Sequence, residues 1–246
     1  MEDRKLSAVY GIRSYEGDPQ GNLRPVTLMN ILQEVAVVDA AQRGFGMQFC
    51  LQHNMTWVSS DYVIEIKRMP RVNENIRVVT WPSAEDKFSA CRDFCIYDAF
   101  ESPIVSASSR WLLISLDKRR PQPIAGRLGE NYLLSERALV TDFPKIPEVQ
   151  DDAAAYDFRV RFDDIDVNRH INNAVYILWA SEAVTADWRQ HHEPCRIEVN
   201  FRKEGFLGED IKVLTTMDGD RSISSIRAQG VQARELARVV ITWRVL

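Results

Sequence analysis

The feature that most constrains the fold is an internal repeat, because the two halves of this 246-residue chain carry matching segments. In the first half, VIEIKRMP at 63 to 70 leads into ENIRVVT at 74 to 80. In the second half, IEVNFRKE at 197 to 204 leads into EDIKVLT at 209 to 215. The glutamate, isoleucine and threonine of the second segment recur 135 positions apart. A shared run of strand, turn and strand predicts two similar halves.

Upstream of these strands, each half predicts one long helix that follows a polar loop. In the first half, four apolar residues have the i, i+3, i+4, i+7 spacing of one buried helical face, and two glycines end the helix: Leu28, Ile31, Leu32, Val35, Gly44 and Gly46. In the second half, the same spacing occurs at Val175, Leu178, Trp179 and Glu182. Asn172 or Asn173 is placed to cap the start of that second helix.

Alternation of apolar and polar residues predicts several strands after each helix, at roughly 76 to 81, 88 to 97, 104 to 116, 197 to 201, 211 to 217, 221 to 232 and 236 to 246. One helix followed by four or five strands cannot supply the crossover helices of a parallel sheet. We therefore predict an α+β fold in which each half wraps an antiparallel sheet around one long helix. The predicted domains are residues 1–125 and 154–246, joined by a proline-punctuated linker at 126–153.

Composition and charge limit the function classes. With 45% hydrophobic and 27% charged residues, the chain is predicted to be a folded globular protein. No apolar stretch approaches the roughly 18 residues of a membrane span, and the start lacks the apolar core of a signal peptide, so a cytoplasmic location is expected. A formal net charge of −4 gives no basic field for nucleic acid.

The densest polar cluster is DDIDVNRHINN at 163 to 173, between a predicted strand and the second long helix. Asp166, Asn168 and His170 are spaced by two, so the loop must curl for their side chains to converge. An imidazole is suited to proton transfer near neutral pH, and amides at a helix start can hold an oxyanion. The alternative is that these residues satisfy loop backbone groups and cap the helix.

No metal or cofactor is expected. Cys91 and Cys95 lie four residues apart on a predicted strand, which separates them by roughly 13 Å, too far to share one zinc ion. The dinucleotide fingerprint, the P-loop and the GxSxG elbow are all missing from the sequence.

The stretch DVNRHINNAVYILW at 166 to 179 resembles the signature of acyl-acyl carrier protein (acyl-ACP) thioesterases, which release fatty acids from carrier protein. YGIRSYEGDPQGNLRPVTLMNILQEVA at 10 to 36 and RWLLISLDKRRPQPI at 110 to 124 also resemble that family, so the likeness covers nearly the whole chain. The resemblance implies a tandem hotdog fold and hydrolysis of fatty acyl-ACP to free fatty acid.

The resemblance places Asp166, Asn168 and His170 on the family's catalytic loop and Glu204 on a downstream acidic position. Gly205 departs from the cysteine that many plant members have there, and glycine cannot form an acyl-enzyme. We expect the acidic groups and His170 to activate water, with either carboxylate as the base, while Asn168 and helix amides near Asn172 hold the oxyanion.

The same resemblance implies an acyl pocket in the first half, for which Leu32, Ala36, Met55 and Trp57 are candidates, although they are also ordinary core residues. Because Asn22 takes the repeat position of His170, we expect one active centre per chain. The basic runs at 67 to 71 and 118 to 120 are candidate contacts for an acidic carrier protein.

The sequence leaves several alternatives open. One alternative is an acyl-CoA thioesterase that uses the same site residues. Another is a protein that binds acyl thioesters as a sensor without hydrolysing them. Acyl length, saturation and a homodimeric state are not fixed by the sequence.

Overall fold

A computed structural model describes residues 4–124, 128, 133–231 and 233–246 of the chain. It separates into two compact units, Met1–Asp142 (unit 1) and Phe143–Leu246 (unit 2). The division falls inside the predicted linker. The positions outside the described residues are 1–3, 125–127, 129–132 and 232. They include position 125, where the first predicted domain ends, and six positions of the predicted linker, 126–127 and 129–132. The exact domain limits therefore remain predictions.

Unit 1 is an antiparallel sheet with two helices. Its elements are β1 (Leu6–Gly11), a 3-10 turn (Ser14–Glu16), α1 (Pro25–Gln42), α2 (Met47–Gln52), β2 (Met55–Ile66), β3 (Asn75–Glu85), β4 (Ser89–Tyr97) and β5 (Pro103–Ser115). The strand order is β1-β3-β4-β5-β2, with every pairing antiparallel.

Unit 2 repeats this architecture element for element. It contains β6 (Ala154–Arg159), a 3-10 turn (Phe162–Asp164), α3 (Asn173–Glu182), α4 (Ala186–His191), β7 (His192–Phe201), β8 (Asp210–Asp218), β9 (Arg221–Ala228) and β10 (Arg234–Val245). Its strand order is β7-β10-β9-β8-β6, again antiparallel throughout. Read from the strand that opens each unit, the two orders are the same, which confirms the repeat and the predicted α+β fold.

The long helices follow from their sequences. Pro25 opens α1, where a missing amide hydrogen costs nothing, and the predicted apolar face is buried against β1 and β3. In unit 2, the Asn172 side chain accepts a hydrogen bond from the Ala174 amide and caps α3, which has only 10 residues against 18 for α1.

The predicted face of α3 is partly wrong. Val175 and Trp179 are buried, but Leu178 is only half-buried and Glu182 is exposed. Five further residues are buried on α3, namely Ala174, Tyr176, Ile177, Ala180 and Ser181. A short helix covered on more than one side loses the simple period that marks a single buried face.

Within the described residues, none of the helices combines the length and the apolar character needed to cross a membrane.

Candidate active site

The loop from Ile165 to Ile171 curls back on itself, as convergence of its polar side chains requires. The Asp166 amide donates to the His170 carbonyl (2.9 Å), and Ile165 and Ile171 form an antiparallel bridge. Arg169 closes the turn with a φ of 65°. The loop therefore holds Asp166 and His170 at the two ends of one tight turn.

Asp166 organises the tip of this loop through its carboxylate. Its Oδ1 accepts from the Asn168 backbone amide at 2.8 Å, and its Oδ2 accepts from the Asn168 side-chain amide at 3.2 Å. A side-chain amide has two N–H groups, so Asn168 can donate to Asp166 and to a second acceptor at once. This geometry orients the Asn168 amide.

A second segment, residues 202 to 209, brings Glu204 to the same place. The strand β7 ends at Phe201, so the chain has left the sheet before it reaches Glu204. Arg234, at the start of β10, donates to the Glu204 carbonyl (2.8 Å) and forms a two-pronged ion pair with Glu209 (2.9 and 3.0 Å). The guanidinium thus fastens this segment at both ends.

The two segments place His170 against Glu204, with Nε2 3.5 Å from Oε2. The two side chains are 29% and 42% exposed, so solvent reaches both of them. The edge of the His170 imidazole also meets the Phe206 ring, at a centroid distance of 5.2 Å. A water-accessible imidazole beside a carboxylate is an arrangement suited to moving a proton.

The segments are tied together directly behind this pair. The Ile171 amide donates to the Gly205 carbonyl at 3.0 Å, one residue after His170 and one after Glu204. The buried Tyr176 of α3 lies close behind, since its hydroxyl faces the Gly205 amide. Burial raises the pKa of Tyr176 well above its usual value, so this hydroxyl stays protonated.

Asn172 has a structural task that limits its predicted role. Its side-chain oxygen caps α3, and its own amide donates to the carbonyl of Asp164 at 2.9 Å. The Val175 amide donates to the Asn172 carbonyl, also at 2.9 Å. The amides of Asn172, Ala174 and Val175 therefore already have acceptors within the protein, and a role for them in holding an oxyanion stays a prediction.

Two residues that support the site were missed by sequence reasoning. Asp164 is 2% exposed, and its carboxylate accepts from the backbone and the guanidinium of Arg161, which anchors the start of the loop. Its place inside the DDID run was a usable signal. Arg234 lies 30 residues from Glu204, and nothing in the sequence pattern connects the two.

Unit 1 has a loop of the same backbone shape but lacks the histidine and the glutamate of unit 2. Asp18 N–H donates to the Asn22 carbonyl at 2.8 Å, and Asp18 Oδ1 accepts from the Gln20 amide at 2.9 Å, which matches the bonds of Asp166. Asn22 stands where unit 2 has His170, and the buried Met69 stands where it has Glu204. These substitutions support the prediction of one active centre per chain.

The predicted pocket residues of unit 1 are buried or half-buried in two places. Leu32 and Ala36 lie on the buried face of α1. Met55 and the half-buried Trp57 belong to one apolar cluster around β2, and the Trp57 indole donates to the Phe45 carbonyl at 3.0 Å. These positions fit apolar core, and a role in acyl binding stays a prediction.

The two basic runs differ in exposure and pairing, and the cysteines form no disulfide bonds. In the 67 to 71 run, Arg68 is paired with Glu74 and Asp98, whereas the 118 to 120 run is exposed. All four cysteines are free thiols. Across residues 4–124, 128, 133–231 and 233–246, no group of three or more His, Cys, Asp or Glu side chains could hold a metal ion.

The repeated strand order, with one long helix in each unit, defines a tandem hotdog fold, and solved structures share it. An acyl-ACP thioesterase from Bacteroides thetaiotaomicron is similar with a TM-score of 0.90 and 22% identity, over 99% of both chains. The 12:0-ACP thioesterase from Umbellularia californica gives a TM-score of 0.88 and 23% identity, over 98% of both chains.

Sequence comparison identifies the family. The acyl-ACP thioesterase N-terminal domain matches residues 3–132, and the C-terminal domain matches residues 148–245. The chain therefore belongs to the acyl-ACP thioesterase family.

Curated relatives are plant proteins. The chain is 28% identical over 232 residues to a chloroplastic acyl-[acyl-carrier-protein] hydrolase of Cuphea viscosissima, covering 87% of this chain and 56% of that protein. It is 27% identical over 232 residues to oleoyl-acyl carrier protein thioesterase 2 of Arabidopsis thaliana, covering 87% of this chain and 63% of that protein. The chain thus spans somewhat more than half the length of these relatives.

Proposed function

We propose that this protein hydrolyses the thioester of fatty acyl-ACP, giving free fatty acid and carrier protein, by activating water in the loop site of unit 2. The observation that carries the proposal is the 3.5 Å approach of His170 Nε2 to Glu204 Oε2 at a solvent-reachable place in a chain of this family. The activities for which the plant relatives are named support the same reaction.

In the proposed reaction, the oxygen of a water molecule bonds to the thioester carbonyl carbon while its proton passes to the His170–Glu204 pair. The carbonyl oxygen becomes an oxyanion, which accepts from the second N–H of the Asn168 side chain. The carbon–sulfur bond then breaks, and the thiolate takes up a proton and leaves. A thiol with a pKa near 8.5 is a good leaving group, so water activation is the harder step.

The geometry favours Glu204 over Asp166 as the carboxylate that acts with His170. Both Asp166 oxygens accept from Asn168, which suits Asp166 to holding the loop and its oxyanion donor. Glu204 instead faces the imidazole and is 42% exposed. The 3.5 Å separation leaves the pair to tighten when substrate binds, as catalytic hydrogen bonds commonly do.

Purified Glu204→Gln, Asp166→Asn and His170→Ala variants test the proposal with acyl-ACP as substrate. Loss of general-base catalysis is expected to lower kcat by about 10² to 10⁴-fold in Glu204→Gln and His170→Ala. Near-normal turnover in both Glu204→Gln and Asp166→Asn would contradict water activation. A wild type that binds acyl-ACP without turnover would instead establish the sensor.

Unit 1 supplies a matched control for Asp166→Asn. Asp18 Oδ1 accepts from the amide two positions on, as Asp166 Oδ1 does, and it also accepts from the Asn22 amide, so Asp18→Asn changes the equivalent loop carboxylate in unit 1. We expect Asp18→Asn to lower stability by about 1 kcal/mol, because a neutral amide oxygen is a weaker acceptor than a carboxylate for the backbone amides, and to keep kcat within about twofold. A comparable loss of kcat in both variants would mean that the effect is structural.

The remaining parts of the proposal each have a direct measurement. Hydrolysis of acyl-ACP against acyl-CoA, with one acyl group, separates the two carriers. Replacement of Met55 or Trp57 by alanine should shift the preferred acyl length if unit 1 houses the acyl tail.

Sedimentation measurements test whether two chains form a homodimer. Cell fractionation tests the expected cytoplasmic location, which the bacterial structural neighbour favours and the chloroplastic relatives do not.

A further inference from the structure

Gly205 packs against the catalytic loop more closely than any side chain allows. A Cβ atom added at Gly205 would lie 2.3 Å from Ile171 Cδ1, 3.2 Å from Ile171 Cγ1 and 3.0 Å from Leu236 Cδ1. Gly205 is not among the residues of positive φ, so here glycine is required by space and not by backbone conformation.

The atoms around Gly205 have little freedom to move aside. Ile171 and Leu236 are 4% and 0% exposed, so their terminal Cδ1 atoms can turn aside only into space that other side chains already fill. The restricted χ1 of isoleucine also holds Ile171 Cγ1, at 3.2 Å from the added Cβ, in place. Closely packed interiors pass such a displacement on to their neighbours. A methyl group at position 205 therefore displaces the Ile171 side chain first, and we expect the close packing around it to pass part of that displacement to the two backbone segments.

The segments that would separate are the ones that carry the catalytic pair. Ile171 directly follows His170, Gly205 directly follows Glu204, and the two backbones are joined by the 3.0 Å hydrogen bond between the Ile171 amide and the Gly205 carbonyl. Arg234 also donates to the Glu204 carbonyl at 2.8 Å and is paired with Glu209, which restrains this segment against a shift as a whole. A change in the Gly205–Ile171 contact is thus transmitted to the His170–Glu204 separation.

Unit 1 shows that the fold itself does not demand a glycine here. The equivalent hydrogen bond runs from the Leu23 amide to the Pro70 carbonyl at 2.7 Å, so a residue with a side chain occupies the position of Gly205. In that unit, Asn22 and Met69 replace the imidazole and the carboxylate. The close approach accompanies the catalytic pair and not the hotdog architecture.

We propose that Gly205 and Ile171 form a size-matched pair that sets the distance between His170 and Glu204, with both acting as positioning residues. The proposal rests on the proposed function, because it assigns a role in the same hydrolysis. It also gives residue 205 a task in this chain that requires no nucleophile.

The test is a double-variant cycle measured on the full chain with acyl-ACP. Gly205→Ala is expected to lower kcat by about 10- to 100-fold, the cost of misplacing catalytic groups by about an ångström, with KM within about twofold of the wild type. Ile171→Val removes Cδ1, the atom at 2.3 Å, and in the Gly205→Ala background it should restore kcat to within about threefold of the Ile171→Val variant alone. Normal turnover of folded Gly205→Ala, or no recovery in the double variant, would overturn the proposal.

Gly230→Ala is the control for a general loss of stability. Gly230 has a φ of 93° and no neighbour within 4 Å, so alanine there strains the backbone of unit 2 without touching the site. It should lower Tm and leave kcat unchanged. If Gly205→Ala does not fold, the reciprocal variant Ile171→Ala serves: it should lower kcat, and adding Gly205→Ala should raise kcat again, while a lack of recovery overturns the pair.

Glu204→Gln, assayed in parallel, separates the two proposals. If Glu204→Gln retains wild-type turnover, the catalytic role of Glu204 fails, and the positioning of that residue fails with it. If Glu204→Gln is impaired while Gly205→Ala is not, only the size-matched pair fails.

Discussion

At the scale of single residues, the loop from Ile165 to Ile171 contains one residue in a strained backbone conformation. Arg169 has a φ of 65°, and Gly21, its equivalent in unit 1, has a φ of 79°. A left-handed conformation costs a non-glycine residue roughly 1 to 2 kcal/mol, which glycine avoids. The loop of unit 2 thus keeps its shape at an energetic cost that the loop of unit 1 does not bear.

We predict that Arg169→Gly stabilises the protein by about 0.5 to 1 kcal/mol, because relief of the backbone strain exceeds the added freedom of glycine in the unfolded chain. Gly21→Ala should do the opposite, by about 1 kcal/mol, since no atom lies within 4 Å to interact with the new methyl group. Thermal unfolding of both variants checks the pair of signs. A less stable Arg169→Gly would mean that the arginine side chain outweighs the strain.

The thiol of Cys195 illustrates how burial lowers the reactivity of a cysteine. Burial raises its pKa above the ordinary value, and its Sγ donates to the Thr242 carbonyl at 3.4 Å. Because the thiolate is the reactive form, the thiol is poorly reactive at neutral pH.

We therefore predict that Cys195→Ser keeps kcat within about twofold of the wild type, because the thiol supplies no nucleophile. Alkylation of Cys195, followed by mass spectrometry, should be slow at pH 7 and should accelerate as the pH rises toward the raised pKa. Loss of turnover in step with labelling at neutral pH would contradict this assignment.

At the scale of elements, each unit has a glutamate at the same position of the repeat, Glu74 in unit 1 and Glu209 in unit 2, and both make the same hydrogen bond. Glu74 accepts from the Arg71 amide at 2.8 Å, and Glu209 accepts from the Phe206 amide at 2.9 Å, so each closes the turn that leads into its strand. Each glutamate is also paired with an arginine, Arg68 in unit 1 and Arg234 in unit 2. The same carboxylate thus fixes the entry to β3 and to β8.

The Arg68–Glu74 pair predicts a pH dependence of stability. The Arg68 guanidinium, 2.6 Å away, lowers the pKa of Glu74, so the pair stabilises the fold fully above the unfolded pKa and loses this contribution as the pH falls through the lower folded value. Glu74→Gln should cost about 0.5 to 1 kcal/mol at pH 7, a modest amount because the pair is partly exposed. The difference in Tm from the wild type should shrink below pH about 4; a gap that stays constant would contradict the linkage.

The elements were largely predictable from the sequence, whereas part of the site was not. Alternation of residue types marks strands such as β8 and β10, and the DVNRHINN run marks the loop, because both are local patterns. Glu204 could be predicted only from the family resemblance. It lies three residues beyond the end of β7, so the alternation of residue types along that strand says nothing about its side chain. Arg234 and the Gly205–Ile171 contact depend on packing between distant segments, which no local pattern encodes.

At the scale of the whole molecule, duplication supplies two units of one topology whose loops share a backbone but differ in side chains. In unit 1 the loop ends in Asn22, and the adjoining segment carries Met69. In unit 2 the same positions hold His170 and Glu204, 3.5 Å apart. The repeat thus predicted the architecture, and divergence within it accounts for the location of the proposed chemistry.

Two similar halves could carry two active centres, but because Asn22 and Met69 occupy the positions of His170 and Glu204, we predict one centre per polypeptide. A tight, non-hydrolysable acyl-ACP analogue should saturate at one equivalent per polypeptide in calorimetric titration, and two equivalents would refute the count. If the proposed site is the sole centre, we also expect a single damaging substitution in the loop of unit 2 to abolish turnover by the whole polypeptide, because the loop of unit 1 lacks the imidazole and the carboxylate that could compensate.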